Sequence, residues 1–584
     1  MNEQGKFNLT STLLVVIFIL SACNGQIPSP QASSATPTTV ASTSTPEPTA
    51  TVLPTATSTP VPPISVWMEP YLPENLLGSI ALAPGVVEAA APESAAYKYQ
   101  VGGQTALSQW VYALVAPFPT IPDGVTAQEL QGAWQGSSKP SAGPPSAGPP
   151  SAGASFAGSP LLVDESALGV FTALWGAPAE GAVKMLPSRE LLQTAWNNQP
   201  AWAIVPFEAL EPRWKVLEVD GVSPLDKEFD PSAYPLTVNF SLQASPLAAS
   251  PLAANTDVSG DGPLDVNSVV QSWQATNRDP SKMTDVMLTG VTALVRATAE
   301  TMRRKGNTYP GQDIRDIMRS ADFAHVSNEI PFTPDCPLPD AWQKELVFCS
   351  QPSYIELLED VGTDVVELTG DHFGDQGADA MRYTLDLYKE KGMLYYGGGY
   401  DLEDARKPLL IEHNGNRLAF LGCNAKGPGY ATARENNPGA ILCDFDWLSS
   451  EIARVKAEGY LPIVTFQHIE YYTYVPQPKL IEDFHKVADA GAVIVSGSQA
   501  HQPHGFEFYK DAMIHYGLGN LFFDQYHMGL PTGQGFIDRH IFYDGRYIGT
   551  ELIGIRFIDF ARPRPMTPDE REELLKSVFD ASLW

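Results

Sequence analysis

Apolar runs that close on polar clusters recur along the second half of the chain. The first is Asp285-Val286-Met287-Leu288-Thr289-Gly290. Others follow at Ala324-His325-Val326-Ser327-Asn328-Glu329, at residues 364–372 ending in Gly370-Asp371-His372, and at residues 418–424. Two more lie at residues 462–468, ending in Gln467-His468, and at residues 492–501, ending in Gln499-Ala500-His501. Short apolar runs between turn residues predict strands buried on both faces. Residues 383–391 and 444–458 carry helical spacing between them. Alternating strands and helices predict an α/β domain whose polar strand ends gather a site.

The first half is patterned more weakly. Residues 110–116, 201–207 and 214–221 read as strands, and Thr126-Ala127-Gln128-Glu129 is a capping box opening a helix through Trp134. This predicts a second, smaller α/β domain. Its order of strand, capped helix and further strands resembles one lobe of a type II solute-binding protein, with no ligand residue carried over. Near the end, Thr567-Pro568-Asp569-Glu570 predicts a capped helix to about Phe579, after an extended basic segment at 562–565.

Two stretches interrupt the periodic pattern. Pro-Ser-Ala-Gly-Pro repeats begin at Pro140, Pro145 and Pro150, and Ser-Pro-Leu-Ala-Ala occupies 245–249 and again 250–254. Neither can pack as a core element, so 137–155 reads as a surface insertion and 244–262 as a linker. The linker contains the front half of a calcium-loop spacing at 257–262, but position twelve is Ser268 rather than the bidentate Glu such loops need. The folded regions are therefore expected at 64–243 and 263–584.

The amino terminus has its own pattern. Lys6 precedes an apolar run at 13–20, which leads into Leu20-Ser21-Ala22-Cys23. That is a signal peptide ending in a lipobox, at 1–23, with Cys23 as the lipidation site. Residues 24–63 are almost all Thr, Pro, Ser, Ala and Val, a composition that predicts a disordered tether. The expectation is an extracytoplasmic protein held to a membrane through its lipid. A formal charge of −30 fits a solvated outer surface and argues against a nucleic-acid partner. With Cys23 lipidated, Cys336 with Cys349 and Cys423 with Cys443 are the sequence-local disulfide pairs. Four cysteines allow three connectivities, and a zinc site would need a Cys-x-x-Cys spacing that is missing.

Four elements of the second region carry a family resemblance. They are Asn328-Glu329, the segment Asp371-His372-Phe373-Gly374-Asp375-Gln376-Gly377 with Gly397-Gly398-Gly399 after it, Gly497-Ser498-Gln499-Ala500-His501, and Tyr516-Gly517-Leu518-Gly519-Asn520-Leu521-Phe522. In order and spacing, residues 280–560 resemble the CapA family of capsule or poly-γ-glutamate synthesis proteins, related to calcineurin-like metallophosphatases. The resemblance implies a metallophosphatase-like α/β sandwich and a divalent metal of unassigned identity. It implies metal positions at Asn328, Glu329, Asp371, His372, Gln499 and His501, and an anionic surface polymer or glycan as partner.

The chain departs from the family pattern at several ligands. The first strand ends in Gly290-Val291 where the family has Gly-Asp, and Asp285 sits at the wrong end of that strand. Asp371 stands for an Asn, Gln467 with His468 for a His, and Gln499 for a His. Two functions follow. In one, metal-assisted hydrolysis or transfer uses His372, paired with Asp371 or Asp375, as proton donor. In the other, the site is catalytically silent and the protein binds a polymer or partner. His372, His468 and His501 also admit the plain reading of hydrogen-bonded strand-end histidines. Lys426 and Arg382 are candidates for holding an anionic group, and the aromatic run 470–474 for stacking on a sugar or packing as a loop.

Overall fold

The computed structural model describes residues 63–103, 106–137, 156, 159–249, 266–525 and 528–584. The expected signal peptide with Cys23, the expected tether up to residue 62, nearly all of the expected 137–155 insertion and residues 250–262 of the expected linker lie outside the described residues.

The first region is built on one main sheet, beside which Ala81–Leu82 pairs separately with Val270–Ser272. Its strands are β1 (Ile64–Met68), β2 (Val86–Glu88), β3 (Tyr97–Val101), β4 (Ser108–Pro117), β5 (Leu161–Asp164), β6 (Val183–Leu186), β7 (Ala203–Pro206), β8 (Trp214–Val219) and β9 (Thr237–Ala244). They run in the order β2-β1-β3-β9-β4-β7-β5-β6, with β8 beside β4. The expected strands at 110–116, 201–207 and 214–221 are β4, β7 and β8. Helix α1 (Ala127–Trp134) opens on the Thr126–Glu129 capping box, which is present in both directions. Helices α2 (Glu165–Trp175) and α3 (Ser188–Asn197) supply Phe171, Leu191 and Ala195 to the core. Met283, Ile541, Tyr543 and Ile548 of the second region complete that core.

The second region places two sheets face to face. One follows the path β14-β13-β12-β10-β22-β23-β24 and is made of β10 (Met283–Thr289), β12 (Phe323–Asn328), β13 (Thr363–Glu367), β14 (Leu394–Tyr396), β22 (Gln534–Tyr543), β23 (Arg546–Ile558) and β24 (Arg562–Pro565). Short β11 (Val291–Thr292) joins β12 to β21 (Asn520–Phe522). The other sheet has the order β15-β16-β17-β18-β20-β19, with β15 (Leu409–His413), β16 (Asn416–Asn424), β17 (Leu461–Gln467), β18 (Ile494–Ser496), β19 (Phe506–Tyr509) and β20 (Ala512–His515).

Strand alternation assigns each residue a layer. Val286, Leu288, Val365, Leu418, Phe420, Ile463, Ile494 and Met513 meet in the core between the sheets. Their neighbours Met287, Val326 and Val366 face outward and pack on α4 (Arg296–Lys305), α5 (Arg315–Arg319), α6 (Ile355–Asp360) and α7 (Gly377–Lys391). On the opposite side Leu421, Val464, Val495 and Ile514 pack on α8 (Phe445–Ala457) and α9 (Pro478–Ala490). The layers are helix, sheet, sheet, helix, which is the expected α/β sandwich. Helix α7 begins earlier than the sequence pattern placed it, and α10 (Pro568–Asp580) carries the expected capping box at Thr567. Among the described residues, no helix is long and apolar enough to cross a membrane.

Both sequence-local disulfides form, Cys336–Cys349 and Cys423–Cys443. Each ties a loop to the same end of the sandwich. The first holds the loop with Phe348, and the second joins the end of β16 to the segment after residue 424.

Two glycines let β11 approach β21. A Cβ on Gly290 would lie 1.8 Å from the carbonyl oxygen of Gly519. The adjacent Val291 N–H donates to that same oxygen at 3.0 Å. Backbone cannot yield as a flexible side chain does, so Gly290→Ala should cost about 3 kcal/mol, the upper end for overpacking. Urea unfolding of the variant beside the parent measures this, and a loss under about 1 kcal/mol would contradict the close approach.

Candidate functional site

The carboxyl ends of β12, β13, β16, β17 and β18 converge at one edge of the sandwich. The registers are parallel: Ser327 lies beside Glu367, Asn424 beside Gln467, and Thr465 beside Ser496. In the layer between the sheets, side chains change from apolar to polar along these strands. Glu367, fully buried, accepts from Thr369 Oγ1 at 2.6 Å and from the Ser498 hydroxyl. His325 Nε2 meets the Tyr396 hydroxyl at 3.0 Å, and that hydroxyl meets Thr465 Oγ1 at 2.8 Å. Burial raises the Glu367 carboxyl, with the hydroxyls around it opposing that shift. These bonds form a polar floor beneath the strand ends.

Above the floor, Glu329 is shared by two groups of ligand-type side chains. One contains Glu329, Glu470 and His501, the other Glu329, Asp371 and His372, and in each the ligand atoms lie within 4.8 Å of one another. Both Glu329 oxygens are buried and, among the described residues, accept no hydrogen bond from an N–H or hydroxyl, while the Asp371 carboxyl lies against them. Burial first, then the charges of Asp371 and Glu470, push this carboxyl well above the usual range. A buried carboxylate without donors is costly unless a cation pairs with it.

The two histidines are oriented by their neighbours. Asn520 donates through Nδ2 to the carbonyls of His501 and Thr532, each at 3.1 Å, which turns its Oδ1 to His501 Nδ1 at 2.8 Å. Nδ1 therefore carries the proton, and bare Nε2 stands 3.7 Å from Glu470 Oε1 and 4.0 Å from Glu329 Oε1. Burial lowers the His501 pKa despite the nearby Glu470. His372 Nδ1 bonds Asp375 Oδ2 at 2.7 Å. Asp375 is held in turn by the Phe348 N–H at 2.7 Å and the Tyr430 hydroxyl at 3.1 Å. His372 thus pairs with Asp375 rather than Asp371, and its Nε2 is the nitrogen left to bind or carry a proton.

Asp371 is instead paired with Lys426, whose Nζ lies 2.6 Å from Asp371 Oδ2 and also contacts Glu470. Burial opposes the Lys426 charge, but Asp371 and Glu470 hold its ammonium well above the usual range. Burial likewise opposes the Glu470 charge, and His501 and Lys426 together hold that carboxyl below its ordinary value.

Several sequence candidates fall elsewhere. Asn328 points to the helical side, donating 2.7 Å hydrogen bonds to the Ile330 carbonyl and the Tyr388 hydroxyl of α7. Strand alternation explains this, because Ser327 takes the inward position. Gln499 is inward, but its Nε2 is committed to Ser327 Oγ at 2.5 Å, leaving only Oε1 unpaired. His468 turns outward to Asp483 of α9 at 3.0 Å, so Gln467, with both amide atoms buried and unpaired, faces the site in its place. Val291 is buried among apolar neighbours and ligates nothing. Asp285 pairs with Arg539 at 2.8 Å at the far end of β10. Arg382 is on α7 and reaches the Asn436 carbonyl. Sequence reasoning placed Glu470 in an aromatic run rather than among the ligands. Its position three residues past the end of β17 was the available signal.

Residues 285–525 match the family model described as "Bacterial capsule synthesis protein PGA_cap". Among curated relatives, the chain is 26% identical over 254 residues to "Capsule biosynthesis protein CapA" of Bacillus anthracis, covering 43% of this chain and 62% of that protein. It is 28% identical over 232 residues to "PGA biosynthesis protein CapA" of Bacillus subtilis (strain 168), covering 39% of this chain and 60% of that one. The matched part is thus about three-fifths of each relative's length. Among solved structures, the NAD nucleotidase NadN of Haemophilus influenzae aligns over 52% of this chain and 57% of its own, with 9% identity and a TM-score of 0.31.

Proposed function

From the premise that residues 285–525 are a domain of the bacterial capsule synthesis family, we propose a lipoprotein, anchored outside the cell through Cys23, that acts on an anionic surface polymer of poly-γ-glutamate or glycan type. The reaction class is metal-assisted hydrolysis or transfer. The observation that carries this reading is Glu329, whose two buried oxygens receive no donor and which belongs to both carboxylate–histidine groups. This donor set fits a divalent cation, because carboxylate oxygens and a bare imidazole nitrogen supply the ligand types such ions take.

Glu329, Glu470 and His501, with Asp371 on the other side, would hold the ion, which leaves His372 Nε2 for proton transfer. A bound divalent ion supplies Lewis-acid charge and lowers the pKa of nearby water. The chain's own residues do the rest. Asn520 keeps the proton of His501 on Nδ1, so that Nε2 remains a ligand. Asp375 fixes the His372 ring through Nδ1, which places Nε2 where it would deliver a proton to a leaving group.

Turnover of purified poly-γ-glutamate by the parent and by His372→Gln tests this. The expected result is a loss of about 10²-fold or more in the variant. An unchanged rate would remove His372 from proton transfer. A second reading, a silent binding module, is favoured by Val291 at the first ligand position and by the commitment of Gln499 to Ser327. Polymer binding by the parent without turnover would select it.

A further inference from the structure

Lys426 touches one carboxylate from each of the two groups. Its Nζ bonds Asp371, which belongs with His372, and Glu470, which belongs with His501. The contact is built rather than incidental. Asn424 Oδ1, at the end of β16, accepts from the N–H groups of Lys426 and Gly427 at 2.8 and 2.7 Å, making a tight turn that aims the lysine across the site. Cys423, the residue before Asn424, is tied to Cys443, and the Cys443 N–H donates back to the Asn424 carbonyl at 2.9 Å. The turn is thereby held from both sides.

Charge then limits what the site can hold. With a cation bound to draw Glu329 into its ionised form, Glu329, Asp371 and Glu470 bring three negative charges, and Asp375 is occupied by His372. Lys426 returns one positive charge, and −3 plus 1 leaves −2, the charge one divalent ion neutralises. A second divalent ion would have to enter beside an ammonium with no further carboxylate to offset it. The unpaired oxygens of Glu329, buried and directed into the cluster, mark where a single ion is still required. The ammonium, in contrast, already spans the gap between the outer carboxylates.

We propose that Lys426 is a tethered cation doing the work of one metal ion, so that the site binds one divalent ion and not two; this rests on the reading that the cluster holds metal. The lysine then has two effects. It holds the Asp371 and Glu470 carboxylates in place when no ion is present, and it sets the stoichiometry.

Mn²⁺ binding to the full chain tests the proposal, read by elemental analysis after dialysis and by the Mn²⁺ electron paramagnetic resonance spectrum, with Lys426→Met and Lys426→Arg in parallel. The expected result is one ion in the parent and in Lys426→Arg. Lys426→Met should take up two ions, or one held at least tenfold more tightly. Two ions in the parent would overturn the tethered-cation inference and leave the metal reading intact. One ion held with equal affinity in parent and Lys426→Met would also overturn it. No ion in the parent would overturn both. Near-ultraviolet circular dichroism checks that the variants fold, and should Lys426→Met fail to fold, the parent stoichiometry together with Lys426→Arg decides.

Discussion

Glu329→Gln is expected to weaken the proposed divalent-ion binding at least about 100-fold and at the same time to stabilise the ion-free protein. The first effect follows because both candidate ligand groups share Glu329, so one substitution weakens each of them. A neutral amide supplies a poorer ligand oxygen and removes a charge, and the expected loss in affinity is at least 100-fold, about 2.7 kcal/mol. The second effect follows from burial. Without an ion, the Glu329 carboxyl is pushed well above its ordinary range by desolvation and by Asp371 and Glu470. Gln fills the same volume without a charge to desolvate, and relief of such a group is worth about 1 kcal/mol or more. An acid whose folded pKa is raised loses stability as pH rises above its unfolded value. The gain from Glu329→Gln should therefore be larger at pH 8 than at pH 5. Titration calorimetry with Mn²⁺ and urea unfolding at both pH values measure the two halves. Lower stability in the variant at every pH would identify Glu329 as a structural residue.

Acidification from pH 6.5 destabilises the fold steeply, through three buried histidines outside the candidate ligand groups. Burial pushes His325 down to about 3, burial and then the nearby His515 push His504 down to about 3, and burial pushes His540 down to about 4 although Asp538 opposes it. In the unfolded chain each titrates near ~6.5. Below that value the unfolded state binds protons that the folded state refuses, so stability falls as pH drops from 6.5 towards 4. Each histidine contributes a slope of about 1.4 kcal/mol per pH unit, and three together about 4. Buried Glu367, raised by desolvation, works in the opposite direction near the carboxylate range. A variant isolates the histidine share: His540→Gln should reduce the slope between pH 6 and 5 by about 1.4 kcal/mol per unit. A slope identical to the parent would mean that His540 is protonated in the folded state.

The strands of the sandwich could be read from the chain because buried strands are continuous apolar runs bounded by turns, and β10, β12, β13, β16, β17 and β18 all lie within the expected stretches. The disulfides were legible because each joins cysteines close in sequence. The site was legible in part. Glu329, Asp371, His372 and His501 meet as their strand-end positions suggested, whereas Asn328 and His468 do not. For those two the reason is one of parity. A strand exposes alternate residues to opposite layers, and a pattern apolar on both faces does not reveal which parity faces the partner sheet.

Other features depended on chain segments far apart in sequence. Glu470 joins His501, Asn520 sets the tautomer of that histidine, and Lys426 bridges Asp371 to Glu470. What the sequence determined by itself was local: the apolar periodicity that makes the strands, the capping boxes at Thr126 and Thr567, and the short-range cysteine pairs. Only the tertiary structure decided which strand ends share an edge, which face each side chain takes, and how many charges meet there. Those properties come from packing two sheets together, an interaction between residues that no local spacing relates.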